Sequence, residues 1–196
     1  MQSPDGTALM GETGSTLRVA ACTRWTELQG SLKYHIQLAG LLEATTIYRF
    51  LNPPGRTAGP QEFTVARRAD IGPALHVMDR ATPRGVTPLT QHLTEIQQHV
   101  RSMEAGLRAA GQEVVVVLAT DGLPSNAHGE TNQAILKEFL VALKEILSLP
   151  VWIVIRLCTD DEQVVRFYNS LDSEVRDNCE GNFLDRKLKR DFGFAV

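Results

Sequence analysis

Two short stretches carry oxygen atoms suited to a hard divalent cation. In Gly85-Val86-Thr87-Pro88-Leu89 a threonine hydroxyl stands just ahead of a proline at a helix start. In Ala119-Thr120-Asp121-Gly122-Leu123-Pro124-Ser125 a carboxylate follows an unbroken apolar run, Val114 to Leu118. Mg²⁺ takes oxygen ligands in near-octahedral geometry, uses one or two carboxylates with hydroxyls and waters, and so leaves a position for a carboxylate from elsewhere. Each stretch also has an ordinary reading. Thr87 makes a good helix N-cap with Pro88 at the first helical position, where its missing N–H costs nothing. Asp-Gly is a common turn dipeptide, Gly122 being expected to allow a sharp turn and Pro124 to stiffen the exit. The metal reading gains on these because the two stretches occur together, in this order, with a long helix between them.

The pair resembles two of the three segments of the metal-ion-dependent adhesion site of von Willebrand factor A domains, and the resemblance covers roughly residues 24–171. Gly85, Thr87, Pro88 and Leu89 match the family's glycine-threonine-proline-leucine loop; Thr120, Asp121 and Gly122 match its threonine-aspartate-glycine loop. The resemblance implies an α/β fold: an open, mostly parallel sheet with helices on both faces. It also implies a protein-interaction module, not an enzyme, with Thr87 and Asp121 as metal ligands and Mg²⁺ as the cofactor that binds an acidic residue of a partner protein. The family's remaining segment, Asp-x-Ser-x-Ser at the end of a central first strand, is not in this chain. In many members that string runs on into methionine and a variable loop, which is how Met1-Gln2-Ser3-Pro4-Asp5-Gly6 reads. The central strand is therefore expected to be missing and the metal weakly held. Residues 17–21 are expected to be drawn into the gap as a substitute strand, which would put Cys22-Thr23-Arg24 where the acidic ligand should be. Two other classes stay open: a Mg²⁺-dependent hydrolase or phosphoryl-transfer enzyme using Asp121, and a metal-free structural fragment.

Positioning these loops requires strands that end beside them and helices that hold those strands. Residues 1–23 are rich in Gly, Ser and Thr and read as a mobile loop with a short extended piece over 17–21. Trp25, Leu28, Leu32, Ile36 and Ala39 lie at helical spacing. Residues 45–51 read as a strand, 62–66 as a short edge strand and 70–78 as a short helix. Leu93, Ile96, Val100, Met103 and Leu107 mark a long helix after Pro88. Residues 114–118 and 151–157 are apolar runs of the kind buried on both faces in helix-covered parallel sheets. A crossover helix over 131–147 separates them, and Thr159 with Glu162 has capping-box spacing for another helix to about Leu171. This alternation predicts a parallel sheet with ligands at the carboxyl ends of its strands. The expected organisation is a domain over 24–172 and a tail over 173–196.

Composition narrows the partners. The 196 residues suit one domain, and 43% hydrophobic with 22% charged residues are ordinary globular values. A formal net charge of -3 gives no broad basic footprint, so nucleic acid is not expected. The basic run Arg186, Lys187, Lys189 and Arg190 is bracketed by Asp185 and Asp191 and reads as a solvated face. No apolar stretch approaches a membrane span and the first residues lack signal-peptide blocks, so a cytoplasmic protein away from membranes is expected. Cys22, Cys158 and Cys179 are far apart and read as reduced thiols. His92 and His99 stand too far apart on one helix for a single zinc, while His35, His76 and His128 have no ligand partners nearby in sequence; all five read as surface or helix-face residues.

Overall fold

The apolar spacing that starts at Trp25 produces a helix, α1 (Arg24–Leu42), in the computed structural model. The model describes the backbone of residues 4–10, 18–176 and 188–191, with side chains over 24–171. The chain forms two compact units, Met1–Gly85 and Val86–Val196. The division falls inside the single span expected over 24–172, in a segment where Pro83, Gly85 and Pro88 interrupt regular structure. Gly85 itself has φ 87°, a left-handed conformation that favours glycine, and a Cβ there would lie 2.5 Å from the Asn52 side chain, which would have to shift.

In the first unit the expected loop over 1–23 contains two strands, β1 (Pro4–Met10) and β2 (Arg18–Thr23), paired antiparallel from Met10↔Arg18 to Pro4↔Thr23. The second strand therefore takes a local partner instead of filling a gap in a larger sheet, as a short hairpin closure costs less entropy than a distant one. A second antiparallel pair joins β3 (Thr46–Arg49) to the expected edge strand, β4 (Glu62–Val65). The short helix expected near 70–78 is α2 (Ile71–Arg80), entered through a 3-10 turn at Arg68–Asp70. The Asp70 carboxylate accepts from the Ala66 and Arg67 amides at 3.0 and 3.1 Å, and these bonds, Ala66 first, hold its pKa below the usual 3.8. Ile36, Ala39, Val65, Ala74 and Met78 form the core, with Trp25, Leu32, Tyr48 and Phe63 packed on it.

The second unit alternates helix and strand as expected: α3 (Leu89–Ala110), β5 (Val114–Thr120), α4 (Gln133–Leu147), β6 (Val151–Leu157), α5 (Glu162–Arg176) and β7 (Leu188–Asp191). The strands run parallel in the order β5-β6-β7, with Val116↔Ile153, Leu118↔Ile155 and Ile155↔Arg190 in register. The segment expected as a tail over 173–196 thus supplies the end of α5 and a third strand. Lys189 and Arg190 of the basic run lie in that strand; Asp185, Arg186, Lys187 and residues 192–196 lie outside the described residues. Asn132 caps α4 by accepting from the Ala134 and Ile135 amides. For α5 the cap is Asp161, accepting from Gln163 and Val164 at 2.8 and 3.2 Å, because Thr159 uses its hydroxyl to hold the Asp161 amide.

Among the described residues one face of this sheet is covered and the other is not. Val116 and Leu118 on β5 share a buried face with Val151, Ile153 and Ile155 on β6, against which α4 packs. The opposite face does not match the expected burial on both sides: Val115 and Val117 are 63% and 59% exposed, and Trp152 and Val154 are half-buried. Among the described residues β5 has β6 on one edge and no strand on the other. An apolar run thus identifies a strand, while its second covering layer is a separate property.

Candidate functional site

Thr87 does not cap α3. The N-cap is Pro88 and no side chain caps that end, because the Thr87 backbone is engaged by the other loop. Its carbonyl accepts from the amides of Leu89 at 2.8 Å and Ser125 at 2.9 Å, and its own amide donates to Ser125 Oγ at 2.9 Å. Ser125 is 7% exposed, so these bonds join the loops in partial shelter from water. The Thr87 hydroxyl is left without a hydrogen bond to any described residue, and a Cβ at position 122 would lie 3.5 Å from its Oγ1. The two motif loops, distant in sequence, are therefore neighbours at the carboxyl end of β5.

The second loop is shaped from inside. Thr120 ends β5 buried, its hydroxyl donating to the Gly122 carbonyl at 3.1 Å and accepting from the Gly122 amide at 3.3 Å. From α5 the fully buried Tyr168 donates its hydroxyl to the same Gly122 carbonyl at 3.2 Å. Burial pushes the Tyr168 phenol well above its ordinary range; Thr120's hydrogen bond partly offsets this and the Asp121 charge adds to it. Tyr168 therefore stays a protonated donor. Gly122 is not in the left-handed region, and a Cβ there meets only ordinary contact, so the steric need expected of this glycine is not observed. Asp121 itself is half-buried, and among the described residues its carboxylate has no hydrogen-bond or salt-bridge partner.

Beyond Pro124 the chain folds back on the same site. Thr131 Oγ1 donates to the Pro124 carbonyl at 2.9 Å, Asn126 Oδ1 accepts from the amides of His128 and Glu130, and Gly129 lies against Val86. On β6 the buried thiol Cys158 follows the strand, its amide donating to the Thr120 carbonyl at 2.8 Å.

The structure thus brings the Thr87 and Asp121 loops together and adds Ser125, Thr120 and Tyr168, which the sequence did not single out for these roles. Ser125 was in view inside its loop, but an acceptor for an amide 38 positions away leaves no local pattern. Tyr168 falls inside the helix expected to run to about Leu171, with nothing in its spacing to mark a role at the loop. His92, read as a surface or helix-face residue, lies on the buried face of α3 with Nδ1 3.9 Å from Glu95. Among the described residues no group of three His, Cys, Asp or Glu is placed to hold a metal ion, and no helix is long and apolar enough to cross a membrane. Compared with family models, curated proteins and solved structures, the chain matches none.

Proposed function

We propose that this chain is a von Willebrand factor A-type interaction module in which Thr87 and Asp121 hold Mg²⁺ for an acidic residue of a partner protein. The observation that carries the reading is the pairing of a half-buried, unpartnered carboxylate with an unpartnered threonine hydroxyl on two loops bonded to each other through Ser125. An anionic oxygen removed from water needs compensation, and a cation supplies it. With one carboxylate and one hydroxyl from the chain, most of an octahedral shell falls to water, which leaves room for a partner's carboxylate and makes the chain's own affinity low. When bound, Mg²⁺ would bridge two anionic groups that otherwise repel.

On this reading the full sheet is the open, helix-covered architecture of the family. The uncovered edge of β5 is the place its central strand would take, and the exposed Val115 and Val117 are what a second helical layer would cover. A binding role is favoured over hydrolysis or phosphoryl transfer because the groups shaping the Asp121 loop are hydroxyls. Tyr168 is held in its protonated form, and the groups further along the loop, His128 and Glu130, are exposed in the Asn126 turn, where Glu130 accepts from the Asn126 side-chain amide, so neither is paired with Asp121 as a general base. The metal-free scaffold is the competing outcome, supported by the short ligand set. Isothermal titration of the intact chain with Mg²⁺ and Mn²⁺ decides between them. Heat of binding that Asp121→Ala abolishes and Thr87→Ala weakens supports the module. Equal titrations for the native chain and Asp121→Ala refute it.

A further inference from the structure

We infer that Tyr168, reaching from α5, is a positioning residue that aims the Asp121 carboxylate by holding the Gly122 carbonyl. The inference rests on Asp121 being a cation ligand. The Gly122 carbonyl has two lone pairs and receives two donors: the Thr120 hydroxyl at 3.1 Å and the Tyr168 hydroxyl at 3.2 Å. The Thr120 hydroxyl in turn receives the Gly122 amide at 3.3 Å. Both peptide groups flanking Cα of Gly122 are thereby fixed from the protein interior, and Asp121 is the residue between Thr120 and that fixed glycine.

Thr120 alone cannot supply this rigidity. It is the last residue of β5, so its bonds to Gly122 tie the turn only to the end of the strand that the loop leaves. Tyr168 is on a different element and is completely buried. It ties the turn to the helix, as Ser125 ties the far end of the loop to Thr87. A ligand set of one carboxylate and one hydroxyl tolerates little misalignment, because metal sites demand ligands held within about 0.5 Å by supporting residues. A phenylalanine at this position would fill the same volume and leave the Gly122 carbonyl one donor short.

The experiment uses the intact chain with four variants: Tyr168→Phe, Asp121→Ala, Thr120→Ser, and Leu171→Val as a control that loosens α5 without touching the loop. Mn²⁺ affinity is read by electron paramagnetic resonance and the Gly122 and Ser125 amides by hydrogen exchange without metal. Tyr168→Phe is expected to weaken Mn²⁺ binding about threefold to tenfold and to speed Gly122 exchange by a similar factor, the ratio one ordinary hydrogen bond implies. Thr120→Ser keeps the hydroxyl and should stay close to the native chain, and Leu171→Val should leave both local readouts unchanged. If Tyr168→Phe binds Mn²⁺ and exchanges as the native chain does while Asp121→Ala loses the metal, the positioning role is overturned and the metal reading stands. If the native chain and Asp121→Ala respond to Mn²⁺ alike, the metal reading falls. Gly122 exchange then decides alone: unchanged in Tyr168→Phe, it overturns the tyrosine's hold on the loop; faster in that variant only, it upholds it.

Discussion

Ser125→Ala tests whether the two loops are clamped. The substitution removes the oxygen that accepts from the Thr87 amide at 2.9 Å and leaves the second tie, from the Ser125 amide to the Thr87 carbonyl, in place. Losing a neutral hydrogen bond costs about 0.5–1.5 kcal/mol, and an orphaned buried N–H raises this toward 1–3 kcal/mol. Thr87 is half-buried, so water regains part of the loss, and we expect about 1–2 kcal/mol. The chain has two tryptophans, Trp25 in the first unit and Trp152 in the second. In a Trp25→Phe background, urea unfolding followed by fluorescence reports the second unit through Trp152. The variant should lower the unfolding free energy by that amount with an unchanged slope against urea. Because the backbone tie survives, the Mg²⁺ affinity that the proposed function assigns to this site should fall by less than about tenfold, one lost bond's worth. A stability change under about 0.5 kcal/mol would place Ser125 among ordinary surface residues and refute the clamp.

Other outcomes follow from burial and charge. Ile155→Ala, on the covered face of the sheet and fully buried, should destabilise the second unit by about 2–5 kcal/mol, whereas Val117→Thr on the open face should stay within about 0.5 kcal/mol; urea titration checks both. Asn132→Ala removes the cap of α4 and should cost about 1 kcal/mol by the same assay. Gly122→Ala should preserve the fold and the circular dichroism spectrum, since a Cβ there meets only ordinary contact at 3.5 Å. Asp70 titrates lower in the folded chain than its usual 3.8, so its stabilising effect is complete above that value and is lost as pH falls through the folded-state pKa. Asp70→Ala should therefore melt below the native chain at neutral pH, and the difference should close on acidification; equal gaps at pH 7 and in strong acid would show that the carboxylate charge is not the cause.

Periodicity located the helices and strands because burying one face requires it: Trp25 to Ala39 and Leu93 to Leu107 could only be helical faces, and Val114 to Leu118 could only be a strand or a buried helix fragment. Three things were not legible. Whether Val115 and Val117 meet a second layer depends on other elements, and no residue of the strand records it. The pairing of β1 with β2 was hidden because Gly, Ser and Thr there weaken the alternation that marks strands. Caps were placed one or two residues off at Thr87 and Thr159: the Thr87 backbone is held by Ser125 and the Thr159 hydroxyl by the Asp161 amide, so which residue caps is decided by which groups are already taken. At the site the sequence pointed to the Thr87 and Asp121 loops but not to the residues that hold them, since Ser125 and Tyr168 act through contacts across long sequence separations.

The open edge of β5 gives those supports their importance. In a sheet with strands on both sides, ladder bonds on either edge restrain the end of a strand, and the loop after it inherits that restraint. Among the described residues β5 is held on the β6 side alone, with Thr120↔Leu157 and the Cys158 amide as its last ties. One edge can twist and fray more than two. The aim of Asp121 must then come from bonds that do not belong to the ladder: Tyr168 from α5, Ser125 to the Thr87 loop, and Thr131 to Pro124. A strand added along the free edge would stiffen β5 itself and make those side-chain clamps partly redundant. The loss from Tyr168→Phe should accordingly be smaller when such a strand is supplied upstream than in the present chain, and an equal loss in both would mean that the sheet edge does not govern the loop.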